Sequence, residues 1–142
     1  MAIKILTDST SYISEAMKET LDIRVVPLSV KFEDMSFKET DIDNESFYAM
    51  MRKKGIPQSS QPSIGDLYHI MEGVVKVGND LACIFLSSDM SGTYSSANMA
   101  KNMILEHYPN ANIEIIDSRS NCMQLGFAAI VAAKAAKEGK TL

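Results

Sequence analysis

Three times in this chain a short apolar run stops at a cluster of small hydroxyl residues that opens a helical pattern. That rhythm constrains the fold more than any other feature. "AIKIL", Ala2 to Leu6, runs into "TDSTS"; "LACIFL" runs into "SSDMSGTYSS", Ser87 to Ser96; "ANIEIID", Ala111 to Asp117, runs into "SRSNC". Short continuous apolar runs fit strands buried on both faces of a parallel sheet. Asp, Ser and Thr supply the caps with which a following helix satisfies its first N–H groups. The alternation therefore predicts an α/β domain of three layers, with a mainly parallel sheet and helices on both faces. At 142 residues the chain can bury one such core, and one domain is expected.

Helices are expected over Tyr12 to Thr20, over Asp43 to Lys54, and from a Ser63 cap through Ile64, Leu67, Met71, Val74 and Val75. Two more are expected from Thr93 to His107 and in the alanine-rich stretch that stops at Gly139. "DIRVVPLSVKF" reads as a second strand broken at Pro27, with Leu28 to Phe32 continuing at a sheet edge because proline cannot donate to a ladder. "FEDMSFKE" reads as a hairpin around Glu33 to Ser36. "IPQSSQPS" reads as a stiff extended loop, since each proline fixes its own dihedral and pushes its predecessor out of the helical region. "AAKAAKEGKTL" closes a helix and stops 3 residues past its glycine, the pattern of a longer protein divided at a linker.

Bulk properties exclude several classes of function. The net charge is −4 and Lys and Arg are scattered, so the basic stripe that nucleic-acid binding needs is missing. Cys83 and Cys122 have neither zinc-site nor disulfide spacing, which points to a reducing, cytoplasmic setting. No apolar stretch approaches the roughly 18 residues of a membrane helix, and the first ten residues read as a strand rather than an export signal, so a soluble protein is expected. The 10 methionines suit irregular apolar cavities, although ordinary core filling accounts for most of them.

Ligands of an open parallel sheet gather at the carboxyl ends of its strands, where the hydroxyl-rich turns fall, and a fourth such loop, "SSQPS", leads into a helix of its own. Helix N-termini attract negative charge. Neither GxxxxGK[ST] nor GxGxxG occurs, and Arg119 is the one cation of these loops, beside Asp8, Asp89 and Asp117. A single carboxylate therefore fits better than a polyanion, and no cofactor or metal is expected. The GxSxG elbow is absent; His69 lies on a polar face beside Glu72 and Lys76, and His107 ends a helix, so no nucleophile has its base. Asp8 and Asp117 read as turn formers, and Ser9, Ser63 and Ser118 as caps. Ser91, beside a Gly92 that permits close approach, and Ser59 and Ser60, held between prolines, are the better ligand candidates. Thr93 and Ser9 complete the candidate set.

"TDSTSYI", "VVPLSVKF", "SSQPS", "LSSDMSGTYSSA" and "IIDSRSNCMQLG", in that order from Ile3 to Gly126, resemble the DegV family of bacterial fatty-acid-binding proteins. The resemblance implies that residues 1–142 form the N-terminal domain of a two-domain protein whose second domain, with a histidine-bearing motif, is absent from this chain. It implies a long-chain fatty acid held between or beneath the domains, its carboxylate on Ser59 and Ser91. It also implies a non-catalytic carrier that presents the acid to a fatty acid kinase. Asp89, Met35, Cys122 and Gln124 depart from the family's usual residues, with consequences for pocket shape. The competing readings are a Rossmann-like enzyme acting on a small carboxylated or phosphorylated metabolite, and a fragment that exposes an apolar face and dimerises through it.

Overall fold

The computed structural model describes residues 2–142. In chain order its strands are β1 (Ile3–Asp8), β2 (Ile23–Val26), β3 (Ser29–Phe32), β4 (Met35–Lys38), β5 (Gln58–Ser60), β6 (Asp80–Phe85) and β7 (Ile113–Asp117). Its helices are α1 (Glu15–Leu21), α2 (Asn44–Lys54), α3 (Ile64–Val75), α4 (Thr93–His107) and α5 (Cys122–Lys137). Strands β2, β1, β6 and β7 lie side by side in that order, all parallel, with Ile5 opposite both Ile23 and Ala82 and with Ile84 opposite Ile116.

Successive side chains of a strand point to opposite faces, and here both faces are covered. Leu6, Val26, Leu81, Cys83 and Phe85 pack against Leu67, Met71 and Val74 of α3 and Ala97, Ala100 and Ile104 of α4. Ile5, Ile23, Ala82 and Ile84 pack against Leu125, Ala129, Ile130 and Ala133 of α5. The three-layer α/β architecture is the one expected, and double-sided burial is why its inner strands read as unbroken apolar runs. The outer edge is different: Ile116 of β7 and Phe127 and Val131 of α5 are exposed and border an apolar groove of about 510 Å3. Among the described residues no helix is long and apolar enough to cross a membrane.

Between β2 and α3 the chain departs from the expected course. Pro27 has no N–H to continue the ladder, and the Leu28 N–H donates instead to Ser9 Oγ at 2.9 Å. The chain peels away, and Leu28 to Phe32 is not an edge of the parallel sheet. β3 is the middle strand of a separate antiparallel sheet ordered β4-β3-β5. The hairpin about Glu33 and Asp34 forms as expected, with Phe32 opposite Met35. The stretch expected as a loop supplies β5, where Ser59 sits opposite Val30 and Ser60 opposite Ser29. Phe32 anchors this sheet, its ring 6.3 Å from that of Phe37 and 6.2 Å from that of Phe47 on α2. The first helix also starts later than expected, because Ser9–Ser11 wind a tight 3-10 turn that Tyr12 ends in the left-handed region.

That turn is held down by α5. A Cβ on Gly126 would overlap the backbone carbonyl oxygen of Ser11, whereas one on Gly73, in α3, meets nothing within 4 Å. Gly126→Ala should therefore cost about 1–3 kcal/mol through overpacking, while Gly73→Ala should gain up to about 1 kcal/mol from helix propensity. Denaturant unfolding of the two variants measures both, and equal effects of the same sign would contradict the packing described.

Candidate functional site

From β1 the chain first moves to β2 on one side and later returns to β6 on the other. Connections leaving the carboxyl ends of β1 and β6 therefore diverge, which opens a crevice between them. Asp8, fully buried at the end of β1, spans that point. Its Oδ1 accepts from the Thr10 N–H at 2.9 Å and the Thr10 hydroxyl at 2.6 Å, and its Oδ2 accepts from the Leu86 N–H at 2.8 Å, just beyond β6. Burial raises the pKa of this carboxyl above its ordinary value, against the opposing pull of those donors.

Above Asp8 lies a cavity of about 740 Å3. Thr10 and Tyr12 line it from the loop after β1; Leu86, Met90, Ser91 and Gly92 from the loop after β6; Asn121 and Cys122 from the loop after β7. The small sheet leans over it with Leu28, Ser29, Val30, Ser59, Ser60 and the following Gln61, and Glu39 lies on the same side. Tyr12 and Cys122 both have left-handed backbone, φ 52° and 50°, which is uncommon away from glycine. The two loops after β6 and β7 are tied together: Asp117 accepts from the Ser88 N–H at 3.2 Å, the Ser88 hydroxyl at 2.6 Å and the Arg119 N–H at 2.9 Å. The Ser88 hydroxyl, followed by the Arg119 N–H, holds the Asp117 carboxyl below its ordinary pKa.

The helix starts divide by position. Ser14, Asp43 and Ser63 cap α1, α2 and α3 by accepting a backbone N–H with the side chain. Gly92 and Asn121, which begin α4 and α5 at the cavity, make no such bond. Ser91 satisfies one amide of α4, its Oγ accepting from the Thr93 N–H at 3.2 Å and lying 2.9 Å from Thr93 Oγ1. Among the described residues the hydroxyls of Ser59 and Ser60 form no hydrogen bond to protein, and both residues are exposed. The lining of the cavity thus carries neutral donors.

The opposite charge character comes from Glu39, whose Oε2 accepts from the Ser9 hydroxyl at 2.7 Å. Partial burial, and after it Glu39, raise the Tyr12 hydroxyl pKa. Of the residues singled out in the sequence, Ser59, Ser60, Ser91 and Gly92 line the cavity. Thr93 is fully buried behind Ser91, and Ser9 is taken up by Leu28 and Glu39. Ser63 caps its helix as expected, but Ser9 and Ser118 do not: Asp8 caps the 3-10 turn, and Ser118 bonds locally to Ser120. Asp8 and Asp117 are the expected turn formers. Glu39, Asn121 and Gln61 were not singled out, since only the tertiary fold brings them to the crevice.

Against this geometry the comparisons are decisive for kinship. A family model described as "Uncharacterised protein, DegV family" matches residues 2–142. The chain belongs to the DegV family. A DegV domain-containing protein of Clostridium acetobutylicum is 63% identical over 142 residues, covering 100% of this chain and 50% of that protein. Among solved structures, this DegV chain is similar to a fatty acid (stearic acid)-binding protein from Eubacterium ventriosum, with a TM-score of 0.91 and 30% identity over 99% of this chain and 49% of that one. It is similar also to DegV, a fatty acid binding protein from Bacillus subtilis, with a TM-score of 0.89 and 38% identity over 98% of this chain and 49% of that one. The chain spans about half the length of the curated relatives it matches.

The Ser88–Asp117 tie is open to titration. A carboxyl whose folded pKa is depressed contributes stability above its unfolded pKa and loses it as pH falls through the folded value. Ser88→Ala should melt below wild type at neutral pH, and the gap should close once the pH falls below the ordinary carboxylate range. Thermal melts across pH check this; a gap that persists undiminished in acid would show that Ser88 acts by another route.

Proposed function

We propose that this chain holds a long-chain fatty acid, with the carboxylate against the donor wall of the cavity and the tail in apolar shelter. The observation that carries the reading is the pairing of two hydroxyls without protein partners, on Ser59 and Ser60, with two helix starts that lack side-chain caps, at Gly92 and Asn121. Neutral donors and helix dipoles suit one negative charge, and the Glu39 carboxylate in the same lining repels that charge from its own part of the cavity. Ser59 and Ser91 take the carboxylate. Ser60 and Gly92 extend that wall; Thr93 holds Ser91, and Ser9 holds Glu39. The relatives named as binding stearic acid and fatty acid support the ligand class.

The energetics fit a greasy ligand. Each buried methylene contributes about 0.8 kcal/mol, so about 14 of them supply on the order of 11 kcal/mol before the ordering costs of association. An unpartnered buried carboxylate would forfeit several kcal/mol of that, and the donor wall removes the penalty. Affinity comes from the tail, and orientation from the head. The structures named as fatty-acid-binding support a carrier over a catalyst. A second domain, in the half of the relatives that this chain does not match, would complete the shelter, and a carboxylate left at the rim is placed for phosphorylation by a partner kinase.

Mass spectrometry of an organic extract of the purified chain, and of the longer protein where the gene encodes one, should find a co-purified fatty acid. Palmitate should raise the melting temperature with occupancy. Ser59→Ala should weaken palmitate binding about tenfold or more, the loss of a charge-assisted hydrogen bond, without lowering the melting temperature of the ligand-free protein. No lipid in either extract together with no palmitate shift would overturn the reading.

A further inference from the structure

The two serines assigned to the carboxylate stand on different bodies, Ser91 on the loop into α4 of the central layer and Ser59 on β5 of the small sheet. β5 is a three-residue edge strand, exposed throughout, whose ladder runs to β3 alone. So short a ladder is a weak anchor for a hydroxyl that must be placed to a fraction of an ångström. The Gln61 side chain crosses from this arm to α4. Gln61 Nε2 donates to Ser96 Oγ at 2.6 Å, and Ser96 is a buried residue in the first turn of α4, its N–H bonded to the Gly92 carbonyl at 2.9 Å. The Gln61 amide lies directly on Gly92, where a Cβ would come within 2.9 Å of Gln61 Cδ and closer still to its Oε1. Gly92 has φ −74° and ψ 2°, a conformation open to any residue. What a side chain at position 92 would displace is the Gln61 amide, not the backbone.

We propose that Gln61 is a positioning residue, a latch that registers the Ser59–Ser60 arm on the start of α4 so that Ser59 and Ser91 meet one carboxylate together. The inference rests on the fatty-acid reading above. Pro62, buried and next in sequence, restricts the backbone of Gln61 and so preorganises the latch. Without it each serine keeps its chemistry, but the arm samples many positions and the two-point contact is lost.

Three variants test the latch: Gln61→Ala, Gly92→Ala and the double variant, each read by hydrogen exchange of the 56–62 segment and by palmitate affinity. Gln61→Ala should speed exchange of that segment, and weaken palmitate binding, by about fivefold each, the worth of one hydrogen bond, with exchange in β1 and β6 unchanged. Gly92→Ala should do the same by evicting the amide. The double variant should be no worse than Gln61→Ala alone, since the added methyl then has nothing to strike. Additive losses, or unaltered exchange in Gln61→Ala, would overturn the latch while leaving the fatty-acid reading intact. If wild type binds no palmitate that reading fails, and exchange still decides whether the latch exists. Faster exchange with unchanged palmitate affinity would overturn the positioning role.

Discussion

The buried carboxylate of Asp8 is the interaction on which the rim of the molecule depends. It lies where the order of strands reverses, and it takes its donors from both sides of that reversal, Thr10 after β1 and Leu86 after β6. Burying a carboxylate is expensive unless its oxygens are fully employed, and three donors within hydrogen-bond distance employ these. The elevated pKa records the residual burial cost. The return is geometric. Both loops leave from a common pin, so the tight turn at Ser9–Ser11, the left-handed Tyr12 and the chain from Leu86 to Gly92 are fixed relative to one another. Ser9, set by that turn, then catches the Leu28 N–H and Glu39, which brings the small sheet to the same edge.

The capping pattern shows where stability has been left unclaimed. A side-chain N-cap is worth about 1 kcal/mol, and three helices of this chain have one. The two without are the two whose cap positions, Gly92 and Asn121, line the cavity. Local helix stability and an anion-receptive surface compete for the same N–H groups, since an amide bonded to its own cap has less to offer a ligand. Departures from local optimum gathered at one place are the signature of a site rather than of poor packing; the core beneath is filled, with Leu67, Phe85 and Leu125 fully buried, and among the described residues Thr7 Oγ1 is its one buried side-chain polar atom without a partner.

What was legible in the sequence was local. Thr93 to His107 declares itself by its own periodicity and the hydroxyls before it, the Ser63 cap by its spacing to Ile64 and Leu67, and the hairpin by its turn residues, and all three stand where expected. The small sheet was hidden because its third strand, Gln58–Ser60, is polar throughout and carries no alternation; its partner β3, not its composition, makes it a strand. Pro27 announced that a ladder stops without saying where the chain goes. Ser9 looked like a cap, but the Asp8 side chain already occupies that role, and the serine is freed for a contact 30 residues away at Glu39. Gly92 was legible as a place of close approach; that the approaching group is Gln61 was not.

The charge balance of the cavity limits what it can hold. Arg119, the cation of the surrounding loops, is mostly exposed and faces Asp89 at 3.7 Å, so it is screened by solvent and already matched. What remains for a ligand is dipolar: hydroxyls, amides and two helix starts, each start worth about 0.3–1 kcal/mol toward a negative charge at exposed sites and up to about 2 kcal/mol when partly buried. On the fatty-acid reading, donors of that strength suit one carboxylate better than a phosphate dianion, and the Glu39 carboxylate in the same lining raises the penalty with every added charge. On the proposed reading, selectivity for a fatty acid over a phosphorylated metabolite follows from what the rim lacks as much as from what it offers. On that reading a ligand with one weak charge and a long apolar body reaches useful affinity because most of its binding energy never passes through the polar lining.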